Sequence, residues 1–529
     1  MTEKVEAVVA KVSDLQDGQM KTVELAEGKK ALLVKENGTF YAVGHKCTHY
    51  GAPLASGALC RGRVRCPWHG ACFNVKTGDI EDFPGLDSIP TFEVTVSGED
   101  VIVRADAEQF QSHKRVKAVA CQPNSSADKR TFVIIGGGGA GMKAAETLRE
   151  EGFQGRVLLV AKEPHLPYDR PILSKKLGAA ADDLKLRSAD FFAEKGIEFL
   201  AGQSAVALDN TKKTVTLSNG NMLNYDSVLI ATGGRPRSLK APGVDLENIL
   251  ILRTPADANR IAEMAPGKRA VVVGSSFIGM EISAYLLEKA SSVTVVGRSK
   301  IPFANILGEK IGGLLKKLQE DKGAKFVSGA TAKEFKGENG KLTAVVLTDG
   351  SVLEADMCVL GVGVEASTDF LKGSSVPTTD SGNVIVDEYM KACDGVFAAG
   401  DIANFPLKML GGERVTIGHW QISHKHGMTA ARNMLGKQER LHTVPFFWTM
   451  MCGKSVRYAG HAHHFDDVII DGNLEEFKFV AYFVKGEKVQ AVATMGRDPV
   501  AAKAANMLYE NIMPTASHIR NNPADWYSI

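Results

Sequence analysis

Short apolar runs alternate with glycine turns over the first hundred residues, at 30–34, 39–43, 63–66, 92–96 and 101–104. This period-two pattern predicts an all-β unit over residues 1–104. Residues 105–130 lose the alternation, and the polar stretch Gln122-Pro-Asn-Ser-Ser-Ala-Asp-Lys reads as a flexible linker. At Thr131 the pattern changes again. Thr131–Ile135 is apolar throughout, Gly136-Gly-Gly138-Gly139-Ala-Gly141 follows, and an amphipathic stretch runs to Glu150. That predicts a buried parallel strand, a tight turn and a helix, with a second strand at Arg156–Ala161. The same design recurs from Ala270 through Gly274, Ser276 and Gly279 to a strand at 293–296. From about Leu441 the chain turns aromatic-rich and strand-like, with 476–484 and Lys488–Met495 as a hairpin. The organisation expected is multidomain: a β unit at 1–104, a linker at 105–130, and a first dinucleotide-binding unit at 131–250 and 385–440. A second dinucleotide-binding unit at 251–384 and an α+β unit at 441–529 complete it.

The bulk numbers narrow the partners. With 44% hydrophobic and 23% charged residues, a chain of 529 residues is ordinary globular material long enough for several cores. A net charge of +2 gives no case for nucleic acid or an acidic membrane surface. Eight cysteines in this length do not make a disulfide framework, which points to a reducing compartment. No apolar signal core, Arg-rich leader or membrane span is read, so a cytoplasmic location is expected, with a mitochondrial one as the alternative.

The sharpest chemistry lies in Cys47-Thr-His49 and Cys66-Pro-Trp-His69, two halves separated by sixteen residues. Each half offers one thiolate and one imidazole. That interleaved order suits a [2Fe–2S] centre with both sulfurs on one iron and both imidazoles on the other. A zinc finger, the alternative, would group its two cysteines before its two histidines. On these motifs the β unit resembles the Rieske ferredoxin domains. High-potential members of that family carry a disulfide whose two positions are here Ala52 and Trp68, so the resemblance implies the lower-potential branch. Cys60 and Cys72 are expected to be packed small residues.

In the first glycine turn, Gly136, Gly138, Gly139 and Gly141 have the offsets that let backbone N–H groups meet a pyrophosphate, and Glu163 stands where an acid accepts ribose hydroxyls. In the second, Gly274 and Gly279 repeat the design, but Gly297-Arg298 replaces the expected acid. Arg298 is thus a candidate for a 2′-phosphate, and NADH or NADPH are both admitted. Val228-Leu-Ile-Ala-Thr232-Gly233-Gly234-Arg-Pro-Arg237 and Gly395-Val-Phe-Ala-Ala-Gly400-Asp401 resemble the two signatures of the two-dinucleotide flavoproteins, which implies FAD. The stretch Pro167-Tyr-Asp-Arg170-Pro-Ile-Leu-Ser-Lys175 has no redox cysteine pair and resembles the apoptosis-inducing-factor and ferredoxin-reductase branch. That resemblance implies Lys175 beside the flavin, paired with Glu281, and His419, Trp420 and Trp448 at the flavin or nicotinamide. The cofactor-binding set also takes in Arg170, Val206 and Gly363. His461, His463 and His464 are expected to form an exposed turn.

The expectation is therefore an NAD(P)H-dependent flavoprotein oxidoreductase. Only a flavin couples a two-electron donor to a one-electron cluster, and the linker would let the cluster domain swing between flavin and partner. The acceptor is an unidentified one-electron carrier, with a protein among the candidates, and a homodimer through 441–529 is a candidate assembly. A redox-sensing signalling protein linked to apoptosis and the reductase component of an oxygenase are the rival readings.

Overall fold

A computed structural model describes residues 3–119, 122–124 and 126–527. Positions 120, 121 and 125, inside the expected linker, lie outside the described residues.

The N-terminal unit is all β. Six antiparallel strands run in the order Lys4–Lys11, Asp100–Asp106, Thr91–Ser97, Thr39–Gly44, Lys29–Glu36, Met20–Ala26. A smaller sheet stacks Ala58–Cys60, Arg63–Arg65, Cys72–Asn74 and Ile80–Asp82. The strand read as ending at Arg104 continues to Asp106, because its pairing with Lys4 persists to that residue. The main chain then stays on this unit: Arg115 and Ser88 exchange two backbone hydrogen bonds of 2.8 and 3.0 Å.

Two doubly wound units follow. In the first, parallel strands Ile197–Ala201, Arg156–Ala161, Thr131–Ile135, Ser227–Ile230 and Val396–Ala398 lie in that order, with Lys391–Cys393 antiparallel at the edge. Helix α1 (Gly139–Glu150) packs on this sheet. In the second, five parallel strands run Ile249–Leu250, Met357–Leu360, Arg269–Val273, Ser292–Gly297, Lys325–Ser328, and α2 (Phe277–Leu286) follows its glycine turn. Helix α3 (Trp420–Met434) returns beneath α1. The C-terminal unit is a five-stranded antiparallel sheet, Phe446–Met451, Lys454–Gly460, Lys488–Met495, Lys478–Lys485, Asp467–Asn473, backed by α4 (Val500–Tyr509).

The apolar runs read from sequence are the sheet interiors. Val133, Ile134, Val157, Leu158 and Val228 are fully buried in one core, and Val272, Val295 and Val359 in another. No helix among the described residues is long and apolar enough to cross a membrane.

Candidate redox site

The two Cys/His loops are built alike. Cys47 N–H bonds Ala52 O at 2.8 Å and Cys66 N–H bonds Ala71 O at 2.8 Å. In return Gly51 N–H reaches Cys47 O at 3.0 Å and Gly70 N–H reaches Cys66 O at 3.3 Å. Both glycines have φ of +75°, the left-handed conformation that closes such a turn. The loops thereby bring Cys47 against Cys66 and set Nδ1 of His49 3.1 Å from Nδ1 of His69. Two nitrogens at that spacing can share one ion with metal–nitrogen bonds of roughly 2 Å.

The thiols hydrogen-bond each other, which holds Cys66 below its ordinary value and Cys47 well above it. Backbone N–H groups of Trp68 and His69 also hold Cys66 down. Burial pushes His49 down to about 3 and His69 down to about 2, so both imidazoles are neutral, the state in which they ligate. Two pairs, one of sulfur and one of nitrogen, fit a two-iron cluster. Cys60 and Cys72 are both free.

The first glycine turn is a cradle. At Gly136 (φ +125°) a Cβ would lie 2.1 Å from Ala231 O, and at Gly141 it would lie 1.9 Å from Gly136 O. A Cβ on Gly138 would meet nothing within 4 Å, so the turn is tight behind and open in front, where a pyrophosphate needs room. Gly139 packs backward on His424 and Trp420. At the end of the second strand, Glu163 accepts hydrogen bonds from Arg170 at 2.7 Å and Tyr168 at 2.6 Å. Burial pushes its carboxyl up, but Arg170 and the two hydrogen bonds win and hold it low. Arg170 also donates to Arg253 O at 2.6 Å.

Arg253 is a residue that the sequence reading missed. Its guanidinium lies near Arg170, Asp401 and Glu163, comes within 3.3 Å of where a Gly233 Cβ would be, and has no hydrogen bond or ion pair among the described residues. Burial and Arg170 push it below its ordinary value, the situation of a cation awaiting an anion. Asp401 accepts a 3.2 Å hydrogen bond from Ser423 of α3, Thr232 donates to Ser367 O at 2.9 Å, and Arg237 donates to Val364 O at 2.9 Å beside Gly363. Val206 is exposed.

Lys175 and Glu281 do meet, Nζ to Oε2 at 3.1 Å, with the carboxylate buried on α2. Ser174 donates to the same oxygen, and Thr449 donates to Oε1 at 2.7 Å. Neither hydroxyl was singled out from the sequence. Thr449 follows Trp448 on the strand Phe446–Met451, so their side chains leave opposite faces. Trp448 turns to the Cys/His loops, its ring 4.2 Å from that of His69 and 5.8 Å from that of His49. His419 lies against Phe447 and Trp420 against His424. Gly274 of the second turn and Arg298 border a separate cavity of about 540 Å³, and Gly279 closes the turn behind it against Gly274 O. His463 and His464 stack on each other as an exposed turn would, while His461 is less exposed.

The linker is expected to let the β unit swing; in this structure the unit is seated on the reductase units. Met428 of α3 is buried in that unit's own core with Leu32, Phe73 and Phe83. Arg65 donates to Asn506 of α4 at 2.8 Å, Lys425 donates to Glu81 O at 3.1 Å, and Arg63 lies 3.9 Å over the Tyr509 ring. Arg187 forms ion pairs of 2.7 Å with both Asp87 and Glu146 of α1, all three side chains nearly sequestered. Gly70 lies so close to Phe446 that a Cβ would come within 2.6 Å of its ring. Asp82 beneath this face is fully buried; burial raises its carboxyl, but Arg65, Arg63 and Lys425 hold it well below the carboxylate range. Such an interface holds the histidine edge of the loops against the reductase units.

Burial also pushes His424 and His426 of α3 down to about 3 each. Unfolded imidazoles titrate near 6.5, so between about 6.5 and 3 the unfolded chain binds more protons and stability falls with falling pH. At roughly 1.4 kcal/mol per pH unit per group, the two together remove about 4 kcal/mol between pH 7 and pH 5. Urea unfolding of the holoprotein at the two pH values should show a clearly lower midpoint at pH 5; equal midpoints would mean that these imidazoles already titrate normally in the folded chain.

Three family descriptions match the chain: Rieske [2Fe-2S] domain over residues 5–93, Pyridine nucleotide-disulphide oxidoreductase over 130–427, and Reductase C-terminal over 446–526. Apoptosis-inducing factor 3 of Homo sapiens is 48% identical over 508 residues, covering 95% of this chain and 84% of that protein. The crystal structure of the ferredoxin reductase for the CYP199A2 system of Rhodopseudomonas palustris superposes with a TM-score of 0.72 at 28% identity, over 75% of this chain and 99% of that one. The covalent putidaredoxin reductase–putidaredoxin complex gives a TM-score of 0.71 at 26% identity, over 75% and 97%.

Proposed function

The chain belongs to the pyridine nucleotide-disulphide oxidoreductase family and is a flavoprotein oxidoreductase with its own Rieske [2Fe–2S] domain, taking electrons from NAD(P)H through FAD to that cluster; from this premise we propose that the flavin-to-cluster step runs inside one seated chain, by way of Trp448. FAD, when bound, would supply the conversion of a two-electron hydride donor to single electrons, and a [2Fe–2S] cluster would supply a one-electron store.

The residues divide the work. Gly136, Gly138, Gly139 and Gly141 offer the cradle for the pyrophosphate, Arg253 and Arg170 supply positive charge beside it, and Glu163 and Asp401 bind hydroxyls. Lys175 is the cation at the flavin ring, kept in place by Glu281, Ser174 and Thr449. Cys47 and Cys66 would hold one iron of the cluster, and His49 and His69 the other. The observation that carries the route is the strand Phe446–Met451: Thr449 holds Glu281 on one face while Trp448 lies against His69 on the other. Two consecutive residues thus join the Lys175–Glu281 pair to the histidine edge.

The external acceptor is a one-electron carrier. A ferredoxin-type protein is the favoured class, because the reductases that this chain superposes on include one solved together with putidaredoxin. Rapid mixing of the oxidised holoprotein with NAD(P)H under anaerobic conditions tests the order. Flavin bleaching is expected first and cluster bleaching second, and Trp448→Ala should slow only the second phase. Cluster bleaching that comes first would reverse the direction.

A further inference from the structure

This inference rests on the reading above, that the second glycine turn takes the reduced pyridine nucleotide. The turn is built as tightly as the first: a Cβ on Gly274 would lie 2.2 Å from Gly361 O, and one on Gly279 would lie 1.9 Å from Gly274 O. The adjoining cavity of about 540 Å³ is bordered by Arg237, Ser275, Ser276, Arg298, Ser299 and Thr331, and among the described residues no Asp or Glu lines it.

What distinguishes this cavity is the end of the strand Ser292–Gly297, the place from which a carboxylate would reach the adenosine ribose. Position 297 has no side chain, and it has no room for one. A Cβ there would lie 2.3 Å from Ser275 Oγ and 2.8 Å from Ser275 Cβ. The backbone is pinned as well, since Gly329 N–H bonds Gly297 O at 2.8 Å. Ser275 thus fills the space that an acid would need. The next residue, Arg298, is exposed at the cavity and has no hydrogen bond or ion pair among the described residues. An adenosine 2′-hydroxyl placed here finds no carboxylate to accept its hydrogen. A 2′-phosphate finds an unpaired guanidinium, whose planar fork matches phosphate oxygens.

We propose that the electron donor is NADPH, that Arg298 is the specificity-determining residue through the coenzyme's 2′-phosphate, and that the Ser275–Gly297 contact excludes the acid that would favour NADH. Among the described residues Arg237 is the other cation on the cavity wall; its Nε donates to Val364 O, whereas Arg298 has no hydrogen bond or ion pair.

The test uses purified holoprotein. Calorimetric binding of 2′,5′-ADP and of 5′-AMP reads the site without turnover, and the ratio of kcat/KM for NADPH and NADH reads it with turnover. The 2′-phosphorylated probe and NADPH are expected to be preferred, roughly ten- to hundredfold. Arg298→Ala should abolish both preferences, and Arg298→Lys should keep part of them, as a charge without the fork would. A double variant, Ser275→Gly with Gly297→Glu, opens the space and installs the acid, and should turn the preference toward NADH. Equal binding of the two probes by the parent protein, or ratios that Arg298→Ala does not move, would overturn the assignment. Failure of both coenzymes to reduce the flavin would overturn the reading on which it rests, a distinct result from equal use of the two.

Discussion

Lys175→Ala is expected to slow reduction of the flavin by NAD(P)H by roughly a hundredfold, the size typical of losing one preorganised donor at a reacting centre. The reason lies in what remains. Glu281 is buried, and its charge is met by Lys175 at 3.1 Å together with two hydroxyl donors, Ser174 and Thr449. Removing the ammonium leaves a buried carboxylate facing the ring on which negative charge must develop, and an uncompensated buried charge costs about 3–5 kcal/mol. The same change should also lower the flavin's reduction potential, a readout that loss of packing alone would not move in a defined direction. Lys175→Ala combined with Glu281→Gln removes both charges and should recover part of the rate and of the stability. An unchanged bleaching rate in the single variant would show that the pair is structural.

The parts of this site that were legible in the sequence are the parts made by neighbours in sequence. Thr131–Ile135 and Arg156–Ala161 are strands with the bounds read from their apolar runs, because strands buried on both faces in a parallel sheet leave a continuous hydrophobic signature. The glycine spacings work in the same way: Gly136 and Gly141 touch each other, so six consecutive residues encode the contact. The Cys/His loops are also local, each closed by hydrogen bonds within six residues of chain. Lys4–Lys11 and Met20–Ala26 left no clear signal, since these edge strands mix exposed polar positions with few buried ones.

What the sequence did not show is what folding alone brings together. Arg253 comes near Asp401 and Glu163 only in the folded chain, and Thr449 reaches Glu281 across 168 residues. No periodicity records such a meeting, and a lone Thr or Arg carries no mark of it. The seating of the β unit is the largest case. Residues 105–130 have the composition of a flexible tether, and composition speaks only for the tether. Whether the unit at its end moves is decided by Met428, Arg65, Lys425 and Arg187, which join segments a hundred or more residues apart.

That seating leads to the second large effect. Asp87→Lys should cut the rate at which the cluster is reduced by at least tenfold while leaving flavin reduction by NAD(P)H at the parent rate. Asp87 and Arg187 form a nearly sequestered ion pair at 2.7 Å, an ion contact rather than an aligned hydrogen bond, and Arg187 is anchored on its other side by Glu146. A lysine at position 87 would set two cations face to face there, and like charges across an interface cost several kcal/mol. The β unit would then leave its seat and be held only by its tether, so His69 would no longer rest against Trp448 and each electron would wait on an encounter. The Asp87 side chain faces Arg187, Thr48 bonds only the backbone carbonyl of Asp87, and the buried Arg65–Asp82 pair inside the unit is untouched, so the β unit is expected to keep its fold. The cluster's visible spectrum reports whether the unit remains intact. Arg187→Ala added to Asp87→Lys removes the repulsion and should restore part of the rate, which a general loss of stability would not allow. If the cluster in Asp87→Lys fills as fast as in the parent protein, the unit reaches the flavin by swinging, and the contacts between Trp448 and His69 are one arrangement among many.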